Sequence, residues 1–280
     1  MRKIIPVEFA IILTIILIGV LLQLLTGPFP FALIAFPVNL IVILLVLLVS
    51  TAKPTSFTGR YGSLPISIFL IILITIEAVV MGLMSDNFVK DSWPFVLTYF
   101  MLVISLALAI SRRLRHFKVK DTGFMLNHIG LFILLVSAGL GSADSEHYVM
   151  KVYEGTSENI AEIYGTGEVK ELPFEISLIN FKMERYQSKT FQLSGPKSFS
   201  SDIILKVKGN RLKTGTVKVN QPMKYGSWRI YQFSYNVEQG NDSDYSVFKI
   251  IYDPWLIPAL LGIFMLFAGA ISLFWKGGKP

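Results

Sequence analysis

Three ionisable side chains lie within strongly apolar stretches of this sequence: Glu8, Glu77 and His128. A charged residue at the centre of a bilayer helix costs about 2 to 3 kcal/mol on insertion scales, so each of these positions needs a reason. A neutral imidazole is cheaper to bury than a carboxylate, and one of its nitrogens keeps a lone pair that can bind iron. His128 is therefore a candidate iron ligand, and hydrogen bonding to a neighbouring helix is the alternative.

The other ionisable positions suggest different roles. Glu77 is either a protonated carboxyl bonded to another helix or part of a proton or ligand path, and Glu8 can extend into the headgroups. The run "SRRLRHFKVK" contains Arg112, Arg113 and Arg115. Clustered cations can bind anionic lipid or the propionates of a porphyrin. The alternative is that they only determine the membrane topology.

The elements that position these residues are predicted from composition. The chain has 280 residues, of which 52% are hydrophobic and 16% charged, a balance typical of membrane proteins. Cysteine is absent, which excludes disulfides, thiolate metal sites and Fe–S clusters for this chain. Six apolar runs have roughly the length needed to cross about 30 Å of hydrocarbon, at about 6–25, 29–50, 64–84, 95–111, 124–141 and 254–275.

The charges of the short loops predict the orientation of these six helices. Lys and Arg precede helix 1, lie between helices 2 and 3 and between helices 4 and 5, and follow helix 6. The positive-inside rule places these segments, and both termini, in the cytoplasm. Residues 143–253 are then extracytoplasmic, and they contain 14 Lys or Arg and 14 Asp or Glu. The net charge of +7 belongs to the membrane part and is no sign of nucleic-acid binding.

We therefore predict a polytopic α-helical membrane protein with one all-β domain, a small sandwich or open barrel, inserted before the last helix. Alternating or β-branched runs such as "FEISLINFKMERY", "SDIILKVKG" and "YSVFKIIYD" predict its strands. The predicted parts are a membrane domain at 1–142, the β domain at 143–253, and a last helix with a cytoplasmic tail at 254–280. The β domain has no grouping typical of a hydrolase, phosphate or metal site, and its only histidine, His147, is expected at the surface.

Two stretches resemble a known family. The segment "VNQPMKYGSWRIYQFSYN", followed by "YSVFKIIYDPWLIPALLGIFMLFAGA", resembles the C-terminal part of the ResB (CcsB) family of cytochrome c biogenesis proteins. The segment "NHIGLFILLVSAGLGS" is similar to the family's helix before the outer domain. The tryptophan-rich signature of the CcsA partner is missing, because the four tryptophans are scattered singly, at Trp93, Trp228, Trp255 and Trp275.

The resemblance implies a role in System II cytochrome c maturation in the bacterial cytoplasmic (inner) membrane. There a ResB-type protein and a CcsA (ResC) type partner carry haem across the membrane and attach it to reduced apocytochrome c. By position, His128 is the axial ligand for a transiently bound haem b that enters from the cytoplasmic side, with Arg112, Arg113 and Arg115 as possible propionate contacts. The chain would be at most an accessory subunit of a haem lyase whose ligation centre is in the partner, and thiol-reducing proteins would be further partners.

Two other classes of function stay open at this point. One is a non-catalytic membrane scaffold or assembly factor for the CcsA-type partner, in which His128 only hydrogen-bonds a neighbouring helix. The other is a proton-coupled small-solute transporter that uses Glu77 and Glu8. Internal repeats would favour a transporter, and the sequence shows no convincing one.

Overall fold

The computed structural model describes residues 5–53, 55–84, 88–185 and 196–277. The chain divides into two compact units. The membrane unit comprises Met1–Asp144 and Trp255–Pro280, and the β unit comprises Ser145–Pro254.

The membrane unit is built from apolar helices. Five helical segments of the described chain are long and apolar enough to cross a membrane: Phe9–Thr26, Leu64–Leu83, Trp93–Leu114, Val119–Asp144 and Leu256–Trp275. The α-helices, in chain order, are α1 (Ile5–Thr26), α2 (Val38–Thr51), α3 (Ser56–Tyr61), α4 (Leu64–Leu83), α5 (Trp93–Leu114), α6 (Thr122–Gly139) and α7 (Leu256–Gly277).

The predicted helix over 29–50 needs correction. The segment forms a short 3₁₀ turn at Phe31–Ile34 and then α2, which has only 14 residues. At 1.5 Å per residue α2 is about 21 Å long, less than the hydrocarbon thickness. Pro37 lies immediately before α2 and has no N–H to continue a helix from the preceding turn. The orientation deduced from six crossings therefore stays a prediction.

Helices α6 and α7 approach closely through glycines. A Cβ atom added at Gly130 would lie 2.8 Å from the carbonyl oxygen of Gly262, and one added at Gly262 would lie 2.7 Å from that of Gly130. A Cβ atom added at Gly269 would lie 2.7 Å from the backbone nitrogen of Asn127. Further along, Gly141 accommodates the indole of Trp255. Only residues without a side chain let these two backbones come so near.

The β unit is one antiparallel sheet of eight strands in the order β5-β4-β3-β2-β1-β8-β7-β6. The strands are β1 (Glu146–Tyr153), β2 (Ser157–Ile163), β3 (Val169–Arg185), β4 (Pro196–Val207), β5 (Asn210–Lys218), β6 (Met223–Tyr225), β7 (Trp228–Tyr235) and β8 (Tyr245–Tyr252). Strands β6 and β7 form a tight hairpin, with Gly226 at φ 54° in the turn between them.

The sheet curls so that strands that are not paired face each other. The hydroxyl oxygens of Ser201 on β4 and Ser246 on β8 lie 2.7 Å apart, and both residues are buried. Tyr235 on β7 stacks on Phe181 of β3 with ring centroids 5.0 Å apart. A single curled sheet corresponds to the open barrel among the two predicted forms. Its interior is filled by large apolar side chains, among them Tyr148, Met150, Phe174, Ile176, Leu178, Ile203, Leu205, Ile230, Phe248 and Ile250.

Candidate functional site

His128 lies six residues after the start of α6, which is about 9 Å along the helix axis. It precedes Gly130 by two residues, so helical geometry places it on the side of α6 opposite the contact with α7. Its side chain is half-buried. The fold therefore keeps this imidazole out of the tight glycine contact between the two helices.

The hydrogen bonding of His128 fixes which ring nitrogen carries the lone pair. Nδ1 lies 2.9 Å from the carbonyl oxygen of Phe124, one turn earlier in the same helix. A carbonyl oxygen only accepts, so in the neutral ring Nδ1 carries the proton and Nε2 keeps the lone pair. Within the described part of the chain, Nε2 has no hydrogen-bond partner. This is the arrangement typical of histidines that bind a metal through Nε2.

An aromatic and charged column holds the imidazole in place. The ring of His128 stacks on that of Phe124, with centroids 3.7 Å apart and planes 22° apart. The guanidinium carbon of Arg113 lies 5.5 Å from the centroid of Phe124. Arg113 also forms an ion pair with Asp121, whose side chain is 4% exposed. Since Asp121 accepts the backbone N–H of Lys118 as well, the column is anchored in the connection between α5 and α6.

The three arginines of the predicted site do not act together. Arg113 is the one that the structure brings towards His128, and its side chain is 49% exposed, so some of its N–H groups can reach a ligand. Arg112 donates to the carbonyl oxygen of Gly62. Arg115 donates to the carbonyl oxygens of Thr51 and Ala52 at the end of α2, where a cation is favoured by the helix dipole.

An apolar cavity lies between α2, α5 and α6, and its lining includes Ile129, the residue after His128, but not His128 itself. Its volume is about 310 Å³, and it opens between the ends of α2 and α5 and the middle of α6. Ile129 and Phe132 line it from α6, while Ile110 and Leu114 line it from α5. Such a surface suits the flat apolar part of a large ligand, because apolar lining with a few polar groups at the edge is typical of small-molecule sites.

Of the two predicted intramembrane carboxyl groups, that of Glu77 lies away from His128. Oε1 of Glu77 is 3.3 Å from the hydroxyl oxygen of Thr98, near the start of α5. Thr98 and Arg113 are 15 residues apart on α5, or about 22 Å, so Glu77 is not part of the His128 site. Glu8 belongs to α1, and its side chain lies outside the described part of the chain. His147 is exposed on β1, with Nε2 3.4 Å from the hydroxyl oxygen of Ser145.

One polar cluster was missed by the sequence analysis. The carboxylate of Asp144 accepts the backbone N–H of Phe36 at 2.6 Å, the amide of Asn39 at 2.7 Å and the indole N–H of Trp255 at 2.7 Å. Asn39 is completely buried. The available signal was a lone amide in an otherwise apolar helix, which must find a partner because unpaired buried polar groups are costly.

The described residues contain no group of three or more His, Cys, Asp or Glu side chains that could hold a metal ion. A single histidine fits a metal that brings its own equatorial ligands, as the iron of haem does.

Comparison with known proteins adds to this geometry. The model of the ResB-like family matches residues 117–248, which include His128 and most of the β unit. This match confirms the resemblance to the ResB (CcsB) family and supports a role in cytochrome c biogenesis. The comparison with curated protein sequences gives no match.

Among solved structures, the chain is similar to one described as "Cytochrome c Heme Lyase CcmF". The TM-score is 0.41 and the sequence identity 12%. The similarity covers 96% of this chain and 44% of that chain, so this chain spans less than half the length of that structure.

Proposed function

We propose that this chain is a ResB-like accessory subunit of a cytochrome c synthase, and that it holds haem in the membrane for attachment to apocytochrome c. Haem is cargo in this proposal. The observation that carries it is the hydrogen bonding of His128, whose Nδ1 is engaged by the Phe124 carbonyl oxygen while Nε2 keeps its lone pair. The family match over residues 117–248 supports the same role.

The surroundings of His128 agree with a planar, partly charged ligand. The apolar cavity begins at Ile129, next to His128 in α6, and Arg113 has guanidinium N–H groups free to meet a carboxylate such as a propionate. Arg112 and Arg115 would contribute less, because each already donates to backbone carbonyl oxygens. His128 is the only histidine in the long helices, so the second axial ligand would come from the CcsA/ResC-type partner or from another side chain.

The proposal includes an orientation and a set of partners. The basic loops would face the cytoplasm of a bacterial inner membrane, and the β unit would lie on the other side, where apocytochrome c is matured. Because the chain has no cysteine, proteins that keep the apocytochrome thiols reduced would have to be separate partners. The covalent attachment itself would take place in the CcsA-type partner.

The scaffold alternative would need His128 to connect two helices. Its Nδ1 bond returns to Phe124 of the same helix, and its ring stacks on that residue as well. These contacts support a residue presented to a ligand over one that joins neighbouring helices. Glu77, the acid on which the transporter alternative depends, is not part of the His128 site.

The test is a spectrum of purified protein. The chain is purified alone and with its CcsA-type partner, as wild type, His128→Gly and His116→Gly, and reduced-minus-oxidised spectra are recorded with and without imidazole. We expect a b-type haem signal that is lost in His128→Gly, restored by imidazole, and kept in His116→Gly, because His116 lies in the exposed connection between α5 and α6. Full haem occupancy in His128→Gly would contradict the assignment of the ligand, and absence of haem from every preparation would favour the scaffold.

A further inference from the structure

Glu77 is a second acidic or basic candidate in a membrane helix, and the structure places it at the contact between α4 and α5. It continues the face of α4 on which Ile66 and Leu70 are fully buried, and this face packs on α5. Oε1 is 3.3 Å from the hydroxyl oxygen of Thr98. Oε2 is buried and has no hydrogen-bond partner among the described residues. A carboxylate left in this way would be an anion with half of its acceptor sites empty.

The hydrogen bonds of Thr98 bear on the protonation state of the carboxyl group. The hydroxyl oxygen of Thr98 lies 2.9 Å from the carbonyl oxygen of Pro94, which can only accept. The hydroxyl has one proton, and the shorter contact uses it for Pro94. A protonated Glu77 would donate its own proton to the lone pair of Thr98 across the longer contact. Together with the unpartnered Oε2, this geometry favours a protonated Glu77 over an ionised one.

Among the residues that the structure describes, the surrounding helices offer no charge to compensate an ionised Glu77. The described side chains of α1, from Phe9 to Thr26, include no charged residue, and Glu77 is the only ionisable residue of α4. On α5 the first cation is Arg112, about 21 Å along the helix from Thr98. The hydroxyl of Tyr99, the next residue on α5, donates to the carbonyl oxygen of Leu135. Lys90 lies in the connection before α5, and its ammonium group is 5.8 Å from the ring of Phe31.

We propose that Glu77 is a proton-binding site of the membrane unit, which holds its proton at neutral pH by donating it to Thr98. Release of the proton requires a cation or water to reach Oε2, since an unpaired anion between apolar helices is strongly disfavoured. Loss of the proton from Glu77, at the contact between α4 and α5, is therefore coupled to the arrival of such a partner, and uptake of the proton is coupled to its departure. This inference does not depend on haem binding at His128.

Infrared spectroscopy of the full chain in a maltoside detergent, which has no ester carbonyl group to absorb in the same region, tests the site. The carbonyl stretch of a protonated carboxyl group is well separated from the carboxylate stretches of exposed acids. We expect this band in the wild type at neutral pH, its loss in Glu77→Gln, and its persistence in Glu168→Gln, which removes an exposed carboxyl group of the β unit. No such band in the wild type at neutral pH, or a band that persists in Glu77→Gln, overturns the proposal.

A second variant keeps the test informative if Glu77→Gln does not fold. Thr98→Val retains the carboxyl group and removes the oxygen that accepts its proton. We expect the band to remain at neutral pH and to move to higher frequency, because the carboxyl group loses its hydrogen bond. A band at an unchanged frequency would overturn the donor arrangement on which the proposal rests.

Discussion

The two units bury their apolar residues in opposite ways. In the β unit the large side chains point into the barrel, and Tyr148, Ile176, Phe248 and Ile250 are each 0% exposed. In the membrane unit large side chains point outwards, as with Phe274 at 88% exposed. Because lipid can cover these helices, the contacts between them depend on small residues and a few polar bonds. The barrel, in contrast, depends on a packed apolar core.

The largest expected effect is truncation of the barrel core. Phe248→Ala should destabilise the β unit by about 3 to 5 kcal/mol, because it removes a fully buried ring and leaves a cavity. The matched change Phe274→Ala in α7 should leave both units nearly unchanged. Hydrogen exchange of strand amides in the full chain, in detergent, measures the difference. Equal losses of protection in the two variants would contradict the contrast between the units.

Glycine substitutions sharpen the contrast on the membrane side. Gly130→Ala places a Cβ against the backbone of α7 and should destabilise the helix pair by about 1 to 3 kcal/mol through overpacking. Gly82→Ala in α4 meets nothing within 4 Å and should stabilise by up to about 1 kcal/mol through helix propensity. Thermal unfolding of the full chain in detergent should thus shift in opposite directions. A shift of the same sign would argue against a close α6–α7 contact.

The polar cluster at Asp144 gives the next test. Asp144→Ala leaves the buried amide of Asn39 and the indole N–H of Trp255 without this acceptor, which should cost about 1 to 3 kcal/mol. Asp242→Ala, an exposed acid of the β unit, is the control and should change little. Resistance to denaturation in detergent measures both variants. Indistinguishable curves would show that the cluster contributes nothing to the membrane unit.

The smallest effect concerns an ion pair on the barrel surface. Hydrogen bonds from Lys182 and Thr216 lower the pKa of Asp202 below its ordinary value. The stabilisation is therefore complete above the unfolded pKa of about 3.9 and is lost as the pH falls through the folded pKa. Asp202→Asn should cost about 0.2 to 1 kcal/mol at neutral pH and nothing in strong acid. Unfolding of both proteins at the two pH values checks this, and a difference that does not depend on pH would contradict it.

Much of the fold follows from local patterns in the sequence. Alternating and β-branched runs predicted the strands, and uninterrupted apolar runs predicted the helices that contain Glu77 and His128. The prediction of one membrane-spanning helix over 29–50 was wrong because average hydropathy ignores backbone geometry. Pro37 lies where a continuous helix needs a backbone N–H. The proline is visible in the sequence, but average hydropathy does not show that it shortens the helix.

The site was predictable only in part. The candidate ligand His128 was found because an imidazole in an apolar helix is unusual. Its support by Phe124 follows the i, i+4 spacing of a helix and could have been deduced. The contacts between Asp144 and Trp255, or between Tyr99 and Leu135, join residues far apart in sequence, and one chain without its fold does not predict them.

The bond between Asp144 and Trp255 has a consequence for dissecting the protein. It joins the two points at which the chain leaves and re-enters the membrane unit, and in the β unit Glu146 pairs with Tyr252, so the two ends of that unit also meet. A segment whose ends are adjacent can be excised and the gap closed by a few flexible residues without stretching either piece. We therefore expect that the two units can be produced and studied separately.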